Sequence, residues 1–392
     1  MSINISETSQ RGASKFALIS IFLCFFTMGF VDLVGIATNY VQEDFQINNT
    51  TANLLTSMVF FWFLVISVPT GVLMNKIGRK KTVLLSVVVT AVALLIPSIY
   101  YSFSSMIVAF SLLGIGNALM QVSLNPLLSD IVDQRRITSM LTFGQFIKAI
   151  ASFSAPLIAA RAALMFGNWK LLFPVFMAIA IIAIICLSFT QIEEKGVDAD
   201  AKTSGFKDCF SLLSDRAVLL CFIGIVCHAG IHVATNVTAP KLLIENAELT
   251  LNEAGIATSI YFLARLIGCL LGSVLLSRLS VKSFFIFSVS LILVGSVGLL
   301  FLTNEYLIYL CIACIGFGNS NIFSILFSQA LAHLPNKKNE VSGLMIMGLV
   351  GGAIFPFVMG LVSDVFDSQI GAIAVLLVGV AYLISISNRI KK

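Results

Sequence analysis

Apolar runs recur from one end of the chain to the other, each closed by a short polar break. They fall at 16–39, 53–74, 82–102, 106–129, 139–165 and 170–191, and again at 217–240, 253–277, 283–303, 306–331, 340–363 and 368–388. A helix needs about 20 apolar residues to cross the hydrocarbon of a bilayer, so the pattern predicts twelve transmembrane helices. The runs are too long for tilted barrel strands, and lipid offers no partner to an unpaired backbone group. Composition agrees: 58% of the 392 residues are hydrophobic and 11% are charged, against about 25% charged in soluble domains. The expected fold class is an all-α membrane protein. No cleavable signal peptide is read, because the first run is long enough to span and lacks a convincing cleavage site.

One polar break is much longer than the others, "QIEEKGVDADAKTSGFKDCFSLLSDR". It divides the chain into a bundle of six helices at 1–191, a linker at 192–216 with a short surface helix around Lys207 to Leu213, and a second bundle of six at 217–392. The halves repeat. "GIGN" at 114–117 returns as "GFGN" at 316–319, "TGVLMNKIGRKK" around Gly71 as "LGSVLLSRLSVK" around Gly272, and Pro156 as Pro356, each 200–202 residues later. Such agreement argues for a pseudo-symmetric duplication, and transporters built this way hold their substrate near the midplane between the halves.

Charge sets the sidedness. Basic residues such as Lys15, Lys76, Arg79, Lys80, Lys81, Arg135, Arg136, Arg278, Lys282, Lys337, Lys338 and Arg389 fall on one side with the linker. The other side holds Lys170 and Lys241 among acids such as Glu43, Asp44, Glu245 and Glu305. By the positive-inside rule both termini and the linker are expected in the cytoplasm of a bacterium, with the chain in its inner membrane. This asymmetry explains the net charge of +5 without a nucleic-acid partner. The eight cysteines lie almost wholly in apolar runs; Cys311 and Cys314 form a CxxC inside one, which reads as core packing.

The candidate chemistry is what the spans carry besides lipid-soluble side chains. An ionisable group at the bilayer centre costs roughly 2.5–3.5 kcal/mol on insertion scales, so Asp32, Lys148, Arg161, His228, His232 and Arg265 each need a reason to be there. Helical spacing gives them company: Asp32, Gly35 and Asn39 in the first span, Asn117, Gln121 and Asn125 in the fourth, Gln145, Lys148 and Ser152 in the fifth, His228, His232, Thr235 and Asn236 in the seventh, and Asn319, Ser320, Asn321 and Ser324 in the tenth. Residues three or four apart share a helix face, and faces this polar are expected to line an aqueous cavity. Amide, hydroxyl and imidazole groups suit a sugar, whose hydroxyls both donate and accept, with Phe60, Phe61, Trp62, Phe146 and Tyr261 as stacking platforms. The plain alternatives are interhelical hydrogen bonds for the amides and core packing for the aromatics. For Asp32 they are a static ion pair with Lys148, or a proton carrier that releases its proton inward when Lys148 approaches. His228 and His232 have the i, i+4 spacing of metal ligands, but no third ligand is evident. Arg161 reads as snorkelling, while Arg265 lies deeper.

"GVLMNKIGRKK" resembles the major facilitator superfamily loop signature Gly-x-x-x-Asp-Arg/Lys-x-Gly-Arg-Arg/Lys, matching at Gly71, Lys76, Gly78, Arg79 and Lys80, with Asn75 in place of the acid. Within it, "SVPTGVLMNKIG", "SLNPLLSDI", "NIFSILFSQAL" and "VGGAIFPFVMGLVSDVF" resemble the fucose:proton symporter family of bacterial sugar uptake proteins over nearly the whole chain. The resemblance implies two bundles of six helices, a gating loop at Gly71, Asn75, Gly78 and Arg79, and an Asn-Pro pair at Asn125 and Pro126. It also implies a proton-carrying acid in the first span, aligned one turn after Asp32, near Gly35. A second family acid aligns with Gln121, and Lys148 stands where the family has a small polar residue. Asn75 is expected to remove a charge pair and loosen the loop's hold, and Arg79 to pair with an acid such as Asp130.

The reading is a monomeric secondary transporter that imports a neutral monosaccharide with protons, without any cofactor. Asp32 and Lys148 are the coupling residues; Asn39, Gln121, Asn125, Gln145, His232, Asn236, Arg265, Asn319 and Asn321 bind substrate. Sodium coupling or facilitated exchange, an organic anion such as a hexuronate gripped by Lys148 and Arg265, and a sensor without turnover are the alternatives. ATP-driven transport and enzymatic activity are not expected: the chain has no G-x-x-x-x-G-K-[ST], no HExxH and no nucleophile-base motif.

Overall fold

The structure is a computed structural model that describes residues 3–47, 49–192, 194, 206–247, 256–366 and 368–390. All regular structure among them is helical: α1 (Ile3–Met28), α2 (Leu33–Phe45), α3 (Asn49–Ile77), α4 (Arg79–Ile99), α5 (Phe103–Ile131), α6 (Ile137–Phe166), α7 (Leu172–Phe189), α8 (Phe206–Ser211), α9 (Arg216–Ala247), α10 (Ile256–Leu275), α11 (Val281–Phe301), α12 (Glu305–Asn319), α13 (Ile322–His333), α14 (Lys338–Met347), α15 (Gly351–Phe366) and α16 (Ile370–Ile386). Ten segments among the described residues are long and apolar enough to cross a membrane. The fifth and eleventh predicted spans are α6, 30 residues long, and the pair α14–α15.

Three spans are broken. The first changes from α to 3-10 geometry over Gly29–Asp32 before continuing as α2. The tenth breaks between α12 and α13 at Ser320 and Asn321, and the eleventh over Gly348–Val350. The linker helix falls where expected, with Cys209 and Leu212 buried and Lys207 and Asp208 exposed.

The chain packs as two compact units. One comprises Met1–Gln134, Ile147–Phe210 and Asn336–Met347; the other comprises Arg135–Phe146, Ser211–Pro335 and Gly348–Lys392. Membership thus departs from chain order twice: the start of α6 belongs with the second unit, and α14 belongs with the first.

In the first unit α5 is central, packed on α3 and α4. Glycines let the backbones meet: a Cβ on Gly114 would lie 2.8 Å from the Val59 backbone, and one on Gly116 would lie 2.6 Å from Thr90 Oγ1. Pro126 inside α5 has no N–H for the Val122 carbonyl, and Ser342 Oγ of α14 donates to that carbonyl instead, at 2.5 Å. At the end of α2, Asp44 accepts from Tyr101 Oη (2.6 Å) and Trp169 Nε1 (3.0 Å), tying that helix to two neighbouring loops. Burial and the Asp44 carboxylate push the Tyr101 phenol above its ordinary range.

In the second unit α12 takes the central place, against α10 and α11. The second copy of the repeated motif does the same work. A Cβ on Gly316 would lie 2.6 Å from the Tyr261 carbonyl oxygen of α10, and one on Gly318 would strike the Ser288 carbonyl of α11. The duplication read from "GIGN" and "GFGN" is therefore a duplication of helix contacts.

Candidate functional site

The polar groups of the first unit gather at the broken first span. Gly29 sits against α6 so closely that a Cβ there would lie 2.5 Å from the Lys148 carbonyl oxygen and 2.7 Å from Ala151 Cβ. That approach sets the 3-10 turn beside α6 and aims Asp32 along it. The carboxylate is exposed, and Ser152 Oγ donates to its Oδ2 at 2.5 Å. Lys148 lies one turn earlier on α6, half-buried. A static Asp32–Lys148 ion pair, one of the two readings of this acid, is not among the ion pairs of the described residues, which include Arg79–Asp130, Lys338–Asp130 and His333–Asp215. The short Ser152 side chain, held against the turn by Gly29, takes the carboxylate instead.

The α5 stripe lies behind this turn, and it is buried. Asn117 Nδ2 donates to the Met28 carbonyl at the start of the break (2.6 Å), Gln121 Nε2 donates to Asn117 Oδ1 (2.8 Å), and Asn125 Nδ2 donates to the Gln121 carbonyl (2.8 Å). Asn117 thus braces the break. Asn125 Oδ1 is buried and has no protein partner among the described residues. The side chain of Asn39 lies outside the described residues.

The second unit holds a chain of five polar side chains. Arg265 Nη1 donates to His232 Nε2 at 3.1 Å. A guanidinium only donates, so the ring proton of His232 sits on Nδ1, which donates to Tyr261 Oη at 2.9 Å. Asn319 Nδ2 reaches the same phenol at 3.3 Å and the His228 carbonyl at 3.2 Å, while its Oδ1 meets His228 Nδ1 at 2.9 Å. The two imidazoles are committed to different partners. Asn319 and Asn117, counterparts in the repeat, both donate to a main-chain carbonyl on the first helix of their half, at His228 and at Met28. Tyr261 is fully buried, which agrees with core packing, the alternative to a stacking platform, and makes it a hydrogen-bonding hub.

The remaining amides divide. Asn236 Nδ2 donates to the His232 carbonyl (2.7 Å), which leaves its buried Oδ1 unpartnered among the described residues, as is Nε2 of Gln145. Asn321 is fully buried against Gly272 and donates to the Gly268 carbonyl (3.1 Å) and to Ser320 Oγ (2.6 Å), so it fastens the α12–α13 break to α10. Arg161 is exposed on α6.

The gating loop is fully engaged within the first unit. A Cβ on Gly71 would lie 2.8 Å from the Asn339 carbonyl oxygen, so α3 and α14 meet backbone to backbone. Gly78 has φ +88°, a conformation that suits glycine. It turns the chain so that the N–H groups of Arg79 and Lys80 donate to Glu194 of the linker, at 2.6 and 2.8 Å. The Arg79 side chain donates to Asp130 Oδ2 (2.5 Å) and Asn339 Oδ1 (2.7 Å), while Lys338 reaches Asp130 Oδ1 (3.4 Å) and Ser129 (3.0 Å). Asn75 is not the gap that its missing charge suggested. It donates to Glu340 Oε1 and accepts from Asn339 Nδ2, both at 2.5 Å. Asn339, Glu340 and Glu194 were not singled out in the sequence, and Lys338 was named only for its charge; only the acid at 340 opposing the amide at 75 hints at the contact.

The comparisons with known proteins agree on one lineage. A family model described as Major Facilitator Superfamily matches residues 17–356. The glucose/galactose transporter of Brucella abortus (strain 2308) is 25% identical over 376 residues, covering 92% of this chain and 90% of that one. The putative glucose/galactose transporter of Helicobacter pylori (strain ATCC 700392 / 26695) is 24% identical over 379 residues, covering 92% of each. Among solved structures, the E. coli fucose:proton symporter FucP (N162A) superposes with a TM-score of 0.79 at 17% identity, covering 96% of this chain and 98% of that one. A bacterial homologue of the iron transporter ferroportin superposes at 0.75 and 14% identity, covering 96% and 100%. With the twelve-helix fold and the family match in agreement, the chain belongs to the Major Facilitator Superfamily and is a multi-pass membrane transporter, not an enzyme.

Proposed function

We propose that this transporter imports a neutral monosaccharide by proton-coupled symport with alternating access, as a monomer in a bacterial inner membrane with both termini in the cytoplasm. Support for a sugar comes from the amide, hydroxyl and imidazole chemistry of both units and from relatives named as glucose/galactose transporters that align over about nine-tenths of both chains. In the second unit, Gln145 Nε2 and Asn236 Oδ1, a buried donor and a buried acceptor without protein partners among the described residues, suit a ligand that offers both kinds of hydrogen bond.

The observation that carries the coupling assignment is Asp32, an exposed carboxylate inside the first span, held by a hydroxyl. A hydroxyl donates to a carboxylate and accepts from a carboxylic acid. The Asp32–Ser152 contact therefore survives protonation with its direction reversed, which lets Asp32 load and unload a proton without leaving its place. Lys148, one turn away, supplies the positive charge that receives the bare carboxylate. In proteoliposomes, Asp32→Asn is expected to abolish accumulation against a gradient while counterflow exchange of substrate survives. A variant that still concentrates substrate normally makes Asp32 structural.

Arg265 favours one second reading, since four of its five N–H groups are not engaged by His232. An organic anion such as a hexuronate would use them, and competition between neutral hexoses and uronates separates the two. Measurable uptake of either rules out a sensor without turnover.

A further inference from the structure

A cavity of about 390 Å³ opens in the second unit where α9 begins and α13 and α16 end. Its lining is partly apolar, with Leu220, Leu326 and Ile386 among the residues. The same lining includes Arg216 and Arg389, both exposed, and the pair Asp215 and His333.

The acid is already committed. Asp215 Oδ1 accepts from the backbone N–H groups of Ala217 (2.8 Å) and Val218 (3.2 Å), capping α9, and its Oδ2 accepts from His333 Nε2 at 3.0 Å. The His333 hydrogen bond, helped by those N–H groups, holds the Asp215 carboxyl below its ordinary range. Among the described residues neither arginine has an ion-pair partner. Lys282 brings a further cation close to this end of the chain, its Nζ 3.4 Å from the carbonyl of Asn388, the residue before Arg389.

Two arginines and several apolar side chains lining one cavity make a site of mixed character. The planar fork of arginine matches the paired oxygens of a phosphate, while the apolar side chains suit a hydrocarbon chain. The cavity also lies at the end of the helices where the positive charge of the chain gathers, the side on which basic pockets between transmembrane helices take anionic headgroups. We propose that this cavity is a phosphate-binding site, gripped by Arg216 and Arg389, for the headgroup of an anionic phospholipid or for free phosphate. It is independent of the transported substrate.

The test uses the full-length protein in a neutral detergent. Phosphatidylglycerol, phosphatidylcholine and inorganic phosphate are added separately, and retention is read by native mass spectrometry alongside thermal unfolding. Phosphatidylglycerol is expected to stay bound and phosphatidylcholine to leave. R216Q/R389Q is expected to weaken phosphatidylglycerol binding about tenfold, the scale of one lost charge-assisted contact. R216K/R389K, which keeps both charges but loses the fork, is expected to bind between the wild type and R216Q/R389Q. If inorganic phosphate alone stabilises the protein and displaces phosphatidylglycerol with the same arginine dependence, the site stands and its ligand is the free anion. Equal binding of phosphatidylglycerol by the wild type and a folded R216Q/R389Q protein, or equal retention of phosphatidylcholine, overturns the proposal.

Discussion

Asn75 occupies the place where the superfamily signature carries an acid, and its surroundings explain the exchange. Glu340 of α14 supplies a carboxylate there, so position 75 must donate, and an amide does. It also accepts from Asn339, whose own oxygen is then free for Arg79. An aspartate at 75 would set two carboxylates face to face with no proton between them. Asn75→Asp is expected to lower stability by about 1–3 kcal/mol, the scale of an unsatisfied buried group, and Asn75→Asp combined with Glu340→Gln to recover most of it. Thermal unfolding of the two single variants and the double variant, taken as a cycle, measures the coupling. The Arg79–Asp130 contact was legible in the sequence, because both residues lie at predicted helix ends of one half. Glu340 was not, because its partner is 265 residues away in the chain and helix periodicity carries no such information.

Breaks in the helices matter more to the candidate site than the helices do. The hydrophobic pattern reached all the spans, since burial in lipid writes itself into twenty-residue runs. It missed the 3-10 turn at Gly29–Asp32 and the breaks at Ser320–Asn321 and Gly348–Val350, which packing partners dictate. Gly29 lets α6 approach, Asn117 takes the Met28 carbonyl, and Asn321 ties its own break to α10. The repeat, by contrast, was readable as a motif, and the structure extends it to a hydrogen bond: Asn117 to Met28 and Asn319 to His228 are the same contact made once in each half. Asn117→Ala and Asn319→Ala are each expected to cost about 1 kcal/mol, as interhelical hydrogen bonds in membranes do. Asn319→Ala is further expected to disturb the tie between Tyr261 and His232. Unfolding midpoints of the purified variants check the first expectation. A larger change in substrate affinity for Asn319→Ala than for Asn117→Ala checks the second.

For the whole molecule, composition, spans and duplication lead to the same superfamily that the family match and the fold establish. The chemistry of transport was less legible. Asp32, His232, Arg265 and Asn319 were all named from spacing, yet which side chain each would meet was not. Asp32 meets Ser152, which spacing placed only on the same helix face as Lys148, and Tyr261 is a hub through burial that periodicity does not reveal. What unites the molecule functionally is the claim that a proton gradient drives sugar uptake. The direct measurement is accumulation of a labelled neutral hexose, such as galactose, in proteoliposomes with an acidic exterior. The expected result is accumulation above the external concentration that a protonophore collapses and an excess of hexuronate leaves unchanged. Uptake that is indifferent to the imposed gradient, or that hexuronate abolishes, contradicts proton-coupled sugar import.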